Sequence, residues 1–169
     1  MTMQAQITEN KEIAETADQY LTFLLGDGEY GVEILKVQEI KSWGPYTPLP
    51  NSPDFLLGVI NLRGAIVPII DLRKRFDLPV VEYTSTTAII IVRVECEEQH
   101  RVVGLVVDLV SDVYHLSQDA IQDDVDLTSE QHGNYIRGLG QIDDKMVILV
   151  NLEPVVSSSL DGYSEGVTP

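Results

Sequence analysis

Apolar residues in this chain fall into short runs divided by turn formers: Tyr20 to Leu25, Leu56 to Leu62, Ala65 to Leu72, Thr87 to Val94, Val102 to Val110 and Met146 to Leu152. The runs are rich in Val and Ile and too short for typical helices, which predicts β-strands. Gly26-Asp27-Gly28 and Arg63-Gly64 sit between runs as hairpin turns, where glycine supplies the positive φ that a tight turn requires. Gly31 to Ile40 reads differently. Val32, Leu35 and Gln38 share one helical face with Ile34, Val37 and Ile40 beside it, so a short helix is expected, although Val37 to Ile40 read equally well as extended. Prolines 45, 48, 50 and 53 bar the segment from Trp43 to Pro53 from any sheet interior and make it a stiff connection.

The chain repeats itself. Gly58 to Leu62 and Ile66 to Leu72 align without a gap on Gly138 to Ile142 and Met146 to Leu152 at an offset of 80 residues. Gly31, Val32, Ile34, Val37, Glu39 and Ile40 align on Gly104, Leu105, Val107, Val110, Asp112 and Val113 at an offset of 73. Two copies of one β unit predict an all-β fold with short helices, in two small barrels of about five strands each. Such barrels close their own edges or exchange strands to do so, which avoids an open sheet.

Residues 1–18 are polar and acidic and residues 157–169 are rich in Ser and Gly, so both are expected to be flexible tails around a domain spanning 19–156. The 169 residues carry 27 acidic and 11 basic side chains, a net charge of −16. That field repels phosphate backbones and anionic lipid, so neither nucleic-acid binding nor direct membrane insertion is expected. No apolar run approaches the roughly 20 residues that span a bilayer, and the N-terminus lacks a secretory pattern, which points to the cytoplasm. A single cysteine, Cys96, has no disulfide partner within the chain and is expected to be structural.

Catalytic patterns fail one by one. No G-x-S-x-G elbow is present, and Cys96 lies in an acidic stretch that opposes thiolate formation. His100, His115 and His132 are too widely spaced to share a helix face as metal ligands. The acidic run Asp119 to Glu130 has Ser129 and Tyr135 where a calcium loop needs Gly and Glu, and reads as a solvated loop. Gly26, Gly28 and Gly31 mimic a dinucleotide fingerprint, but Glu29 and Glu33 would stand where a pyrophosphate sits, so a hairpin is the better reading. No cofactor and no metal are expected. A hydrolase or metal enzyme with a dispersed site remains the alternative, with Asp108, Asp112 and His115 as its nearest grouping.

Among the cations, Arg73, Lys74 and Arg75 form a cluster readable as solvated, whereas Arg63 stands at a hairpin tip between apolar strands. An arginine there is either an exposed turn residue or an anchor whose rigid fork pairs with a partner's carboxylate or carbonyl. The segments YLTFLLGDGEYGVEILKVQEI, PNSPDFLLGVINLRGAIVPIIDLRKRF, RVVGLVVDLVSDVYHL and YIRGLGQIDDKMVILVNLE, in that order, resemble the CheW family of chemotaxis coupling proteins from about Tyr20 to Val155. The resemblance implies two intertwined SH3-like five-stranded β-barrels and a non-enzymatic adaptor. Its partners would be the cytoplasmic tip of a chemoreceptor and the regulatory domain of a chemotaxis histidine kinase, with recruitment to membrane receptor arrays through them. The receptor groove it implies carries over to Val37, Glu39, Asn61, Arg63 and Gly64, bordered by Gly58 and Ile66. The chain departs from the family at Leu57, a position often basic there, and in a turn from Glu95 to His100 that reads as longer and more charged than is usual there. Nothing in it resembles the kinase's ATP-binding domain.

Overall fold

The computed structural model describes residues 19–96, 98–122 and 135–160. Its strands are β1 (Gln19–Leu25), β2 (Gly28–Glu33), β3 (Val37–Ser42), β4 (Leu56–Leu62), β5 (Ala65–Asp71), β6 (Ala88–Cys96), β7 (Gln99–Val107), β8 (Leu109–His115), β9 (Ile121–Gln122), β10 (Ile136–Ile142) and β11 (Lys145–Val150). Two helices, α1 (Leu72–Arg75) and α2 (Leu152–Ser159), follow β5 and β11.

The strands form two sheets, ordered β3-β6-β7-β5-β4 and β8-β1-β2-β11-β10-β9. Under the internal repeat, β1 to β5 correspond to β6, β7, β8, β10 and β11, and exchanging the two sets converts one strand order into the other. Each half therefore gives its first two strands to the other half's barrel. The result is two intertwined SH3-like barrels, with the two-residue β9 added to the second. The barrel built on β3, β4 and β5 is called the first barrel below, and that built on β8, β10 and β11 the second.

Alternation along the strands assigns side chains to three cores. Leu57, Val67, Ile69, Ile89, Ile91 and Val106 fill the first barrel. Tyr20, Leu116, Ile121, Val147 and Leu149 fill the second. The largest core lies between them, where Leu21, Phe23 and Leu25 of β1 meet Ile90, Val92 and Val94 of β6 beneath Val155, Val156 and Leu160 of the α2 region. Each such side chain taken from water contributes about 1.5–3 kcal/mol, so the barrels hold one another through a shared interior. Strand β6, buried on both faces for most of its length, serves two of these cores at once.

Several expectations change. Gly31 to Ile40 is a strand, one 3-10 turn (Ile34–Lys36) and a second strand rather than a helix, because the chain crosses between sheets there. The helical spacing of its apolar residues comes from two strands joined by that turn. The run Val102 to Val110 breaks at Asp108, the matching crossing between β7 and β8. At the Glu95 to His100 hairpin, Cys96 pairs with Gln99 and Glu95 with His100. The last apolar run ends at Val150, and α2 continues to Ser159, with Ser159 and Leu160 buried, so the expected tail from 157 begins too early. Residues 1–18, His132 and most of the acidic run Asp119 to Glu130 lie outside the described residues.

Candidate functional site

The hairpin joining β4 to β5 turns on two left-handed residues, Arg63 (φ 52°) and Gly64 (φ 90°). Nothing lies within 4 Å of a Cβ built on Gly64, so backbone conformation rather than space calls for glycine there. The Gly64 amide donates to Asn61 Oδ1 at 2.9 Å, and Asn61 pairs with Ile66 across the ladder. Arg63 reaches back to β3, where its Nη1 lies 2.7 Å from Glu39 Oε2. Its side chain is 78% exposed and that of Glu39 24%, so much of the guanidinium fork still faces outward. Ile40 and Ile66 are 47% and 46% exposed, Ile40 on the face of β3 opposite Glu39. The hairpin tip and the Arg63–Glu39 pair form a rim on the first barrel.

Of the residues expected in this groove, Glu39, Asn61, Arg63, Gly64 and Ile66 come together at the rim. Val37 lies inward of it and packs on the shared core. Gly58 is buried: a Cβ there would lie 2.1 Å from the Thr47 carbonyl oxygen, so close backbone approach explains its glycine. Thr47 and Val59 exchange two backbone hydrogen bonds at 2.9 and 2.8 Å, which fasten the proline-rich connection along β4. Between that connection and β3 opens a cleft of about 460 Å³ lined by Lys41, Tyr46, Ile60 and Asn61 among others. Ile40 and this cleft were missed from sequence. Ile40 alternates with Glu39 on a half-buried strand, a signal hidden while the segment read as a helix.

Behind the rim the connection is pinned by aromatic contacts. Trp43 stacks on Tyr83 with ring centroids 4.1 Å apart, and the Tyr83 hydroxyl donates to Asp71 Oδ2 at 2.6 Å. Burial, reinforced by that bond to Asp71, pushes the Tyr83 phenol well above its ordinary pKa. The other oxygen of Asp71 caps α1 through the amides of Arg73 and Lys74.

The cluster Arg73 to Arg75 is not simply solvated. Arg73 grips Asp108 with two nitrogens, Nε at 2.6 Å from Oδ1 and Nη2 on Oδ2, and its Nη1 donates to the Pro79 carbonyl at 2.7 Å. That bond to Asp108 raises the Arg73 pKa. The Gly26 amide donates to Asp108 Oδ2 at 2.7 Å. Arg75 donates to Ser158 Oγ at 2.7 Å, Ser159 Oγ at 2.8 Å and the Tyr135 hydroxyl, and lies over the Phe55 ring. Asp108 is thereby engaged, and the grouping of Asp108, Asp112 and His115 does not assemble: among the described residues no three His, Cys, Asp or Glu side chains stand close enough to hold a metal ion. His100 lies 3.6 Å from Glu95 on an exposed hairpin, and Cys96 is buried with its thiol 3.9 Å from the Glu153 carbonyl. Among the described residues no helix is long and apolar enough to cross a membrane.

Comparison with known proteins agrees with this architecture. The model of the CheW-like domain matches residues 19–160. The chain is 44% identical over 152 residues to "Chemotaxis protein CheW" of Klebsiella aerogenes, covering 89% of each chain. It is 38% identical over 149 residues to "Probable chemotaxis protein CheW" of Rhizobium etli, covering 88% of this chain and 94% of that one. The crystal structure of the scaffolding protein TtCheW from Thermoanaerobacter tengcongensis superposes with a TM-score of 0.74 at 32% identity, over 82% of this chain and 92% of the other. By the match of the family model over residues 19–160, by identity with its relatives and by likeness to a solved structure, this chain belongs to the CheW family.

Proposed function

We propose that the protein is a non-enzymatic chemotaxis adaptor that couples the cytoplasmic tip of a chemoreceptor to the regulatory domain of a chemotaxis histidine kinase. It acts in the cytoplasm, needs no cofactor and reaches membrane receptor arrays through its partners. The observation that carries this reading is the rim of the first barrel, where Arg63, held by Glu39, stands largely exposed at the hairpin tip in a chain matched to the family over residues 19–160. The relatives are named as chemotaxis and scaffolding proteins, which supports the same role.

The physical task is linkage. An adaptor that binds one receptor or kinase state more tightly by a few kcal/mol shifts the population of active kinase without covalent chemistry of its own. Arg63 suits the receptor contact because the outward part of its guanidinium can take a carboxylate, and Ile66, half-exposed on the same hairpin, offers apolar surface. The test is reconstitution of kinase, receptor-containing membranes and this protein, with autophosphorylation recorded for wild type and for Arg63→Ala, both checked for folding. Wild type is expected to raise activity and place it under attractant control, and Arg63→Ala to lose most of that gain. No change in kinase activity with wild type and cognate partners would sink the adaptor reading, whereas equal action of both proteins would remove only Arg63 from the contact.

A further inference from the structure

The first barrel is open between its two outer strands. β3 and β4 stand at opposite ends of the five-stranded sheet and do not pair with each other. Both walls of the gap carry free backbone groups. Trp43 donates its amide to the Thr87 carbonyl at 3.2 Å, on the β6 side, so by alternation the N–H and C=O groups of Ile40 and Ser42 turn away from β6 towards the gap. On β4, Val59 gives both its backbone bonds to Thr47, and Asn61, two residues on, turns the same way. Among the described residues the outward backbone groups of Ile40, Ser42 and Asn61 find no partner. The Thr47–Val59 exchange is itself a strand addition one residue long, so the edge of β4 already accepts extended chain. Between the walls lies the cleft of about 460 Å³, floored by Ile89 of the first-barrel core and by Ile60 packed against it. Lys41 pairs directly with Ile89 across β3 and β6, which puts its side chain on the same face as that floor. Lys41 is the one charged residue among the described residues lining the cleft, and it forms no ion pair among them.

We propose that this cleft binds an extended peptide segment of a partner protein, added as a strand between β3 and β4, with an apolar side chain on the Ile60–Ile89 floor and a carboxylate on Lys41. The backbone groups of Ile40, Ser42 and Asn61 supply main-chain hydrogen bonds, and the floor and the lysine supply selectivity. Side chains two residues apart share one face of a strand, so the segment carries its apolar and acidic residues at that spacing. The volume falls within the roughly 300–1,000 Å³ of ligand clefts and suits a short segment, not a folded domain. Thr47 closes one end of the gap on Val59, and the Arg63–Glu39 pair, exposed enough to move aside, spans the other. The net charge of −16 repels anions at long range, so a single lysine in an apolar cleft selects one carboxylate and rejects an acidic tract. The site is separate from the receptor contact assigned to Arg63, and filling it stiffens the barrel wall behind that contact.

The test is amide chemical-shift mapping on the isotope-labelled full chain, titrated with a pool of capped peptides of about eight residues. Each carries Val, Leu or Phe and, two residues along, Asp or Glu, among Thr and Ser. Saturable shifts are expected at the amides of Ile40, Ser42 and Asn61. Lys41→Glu should weaken binding by about tenfold or more. Ser42→Pro deletes an N–H that faces the gap and no ladder bond, so it should abolish binding while circular dichroism stays unchanged. Should Ser42→Pro fail to fold, Lys41→Glu decides alone, since its side chain carries no ion pair of the described residues. The proposal is overturned if no peptide of the pool shifts those three amides up to about 1 mM, if Lys41→Glu binds as wild type does, or if peptides with Ser in place of the apolar residue bind equally well. All of these readouts are taken on the protein without kinase or receptor, so the adaptor reading stands or falls separately.

Discussion

The two halves of the chain follow the same path but carry different charges along it. At the first half's crossing between sheets, from β2 to β3, Leu35 stands 63% exposed. At the matching crossing, from β7 to β8, Asp108 is gripped by Arg73 and by the Gly26 amide. At the rims the first barrel pairs Arg63 with Glu39, whereas the equivalent positions of the second are Asp143 and Asp112. What the copies share is packing: Gly31 faces Leu149 across the parallel pairing of β2 with β11, and Gly104 faces Ile69 across that of β5 with β7. The fold is set by those close approaches and by the apolar alternation around them. At the rims the charges matter little to folding, because an exposed pair contributes little.

The largest effect is expected at the crossings. Arg73 is only 11% exposed, so Asp108→Ala strands a largely buried guanidinium and should cost about 3 kcal/mol in urea unfolding. Leu35→Ala, the equivalent position in the other half, should stay within about 0.5 kcal/mol, since the side chain already faces water. Similar losses at both positions would mean that strand pairing alone holds the crossings and that the charge difference between them is incidental.

The parallel pairings give the next contrast. A Cβ on Gly104 would stand 2.7 Å from Ile89 Cγ2 and 3.0 Å from Ile69 Cγ2, both on β-branched side chains that turn poorly. On Gly31 it would meet Leu149 Cδ2 at 3.2 Å and Val147 Cγ1 at 3.3 Å, where a few tenths of an ångström suffice. Gly104→Ala should therefore cost about 2 kcal/mol and Gly31→Ala under about 1 kcal/mol, measured by thermal or urea unfolding. The reverse order would show the second barrel to be the stiffer of the two.

Most of the architecture was legible in sequence because the repeat was. Offsets of 80 and 73 residues, read from glycines and apolar positions alone, fall on strands that prove equivalent, and the exchange of strands was expected as one way to close the barrels. Local ambiguity hid the rest. One turn of 3-10 helix between two strands mimics helical spacing at Gly31 to Ile40. The serines of α2 masked the buried sequence Leu152, Val155, Val156 and Leu160, whose i, i+3, i+4 and i+8 spacing is helical. Arg73 and Asp108 are separated by 35 residues, and nothing local marks them as partners. At the rim the hairpin tip was readable from Arg63-Gly64, but the reach of Arg63 to Glu39 depends on β3 lying beside it, a tertiary fact.

The smallest stability effect is expected at that ion pair. Arg63 is mostly in water, so the attraction to Glu39 is screened and offset by the entropy of holding a long side chain, and such pairs contribute about 0.2–1 kcal/mol. Glu39→Gln should therefore lower stability by less than about 1 kcal/mol, and the loss should shrink further near 1 M salt, where the Debye length falls to about 3 Å. Asp112→Asn, its equivalent on the second barrel, removes a carboxylate that no basic group of the described residues pairs with and should leave stability unchanged or slightly higher. A double-mutant cycle between Glu39→Gln and Arg63→Ala isolates the pair from the effects of each substitution alone. A coupling above about 2 kcal/mol would make the rim a structural lock on the first barrel, and losses of receptor response in Arg63 variants would then report unfolding. A small coupling leaves Glu39 as the group that aims Arg63, so the same variants can be read as losses of contact.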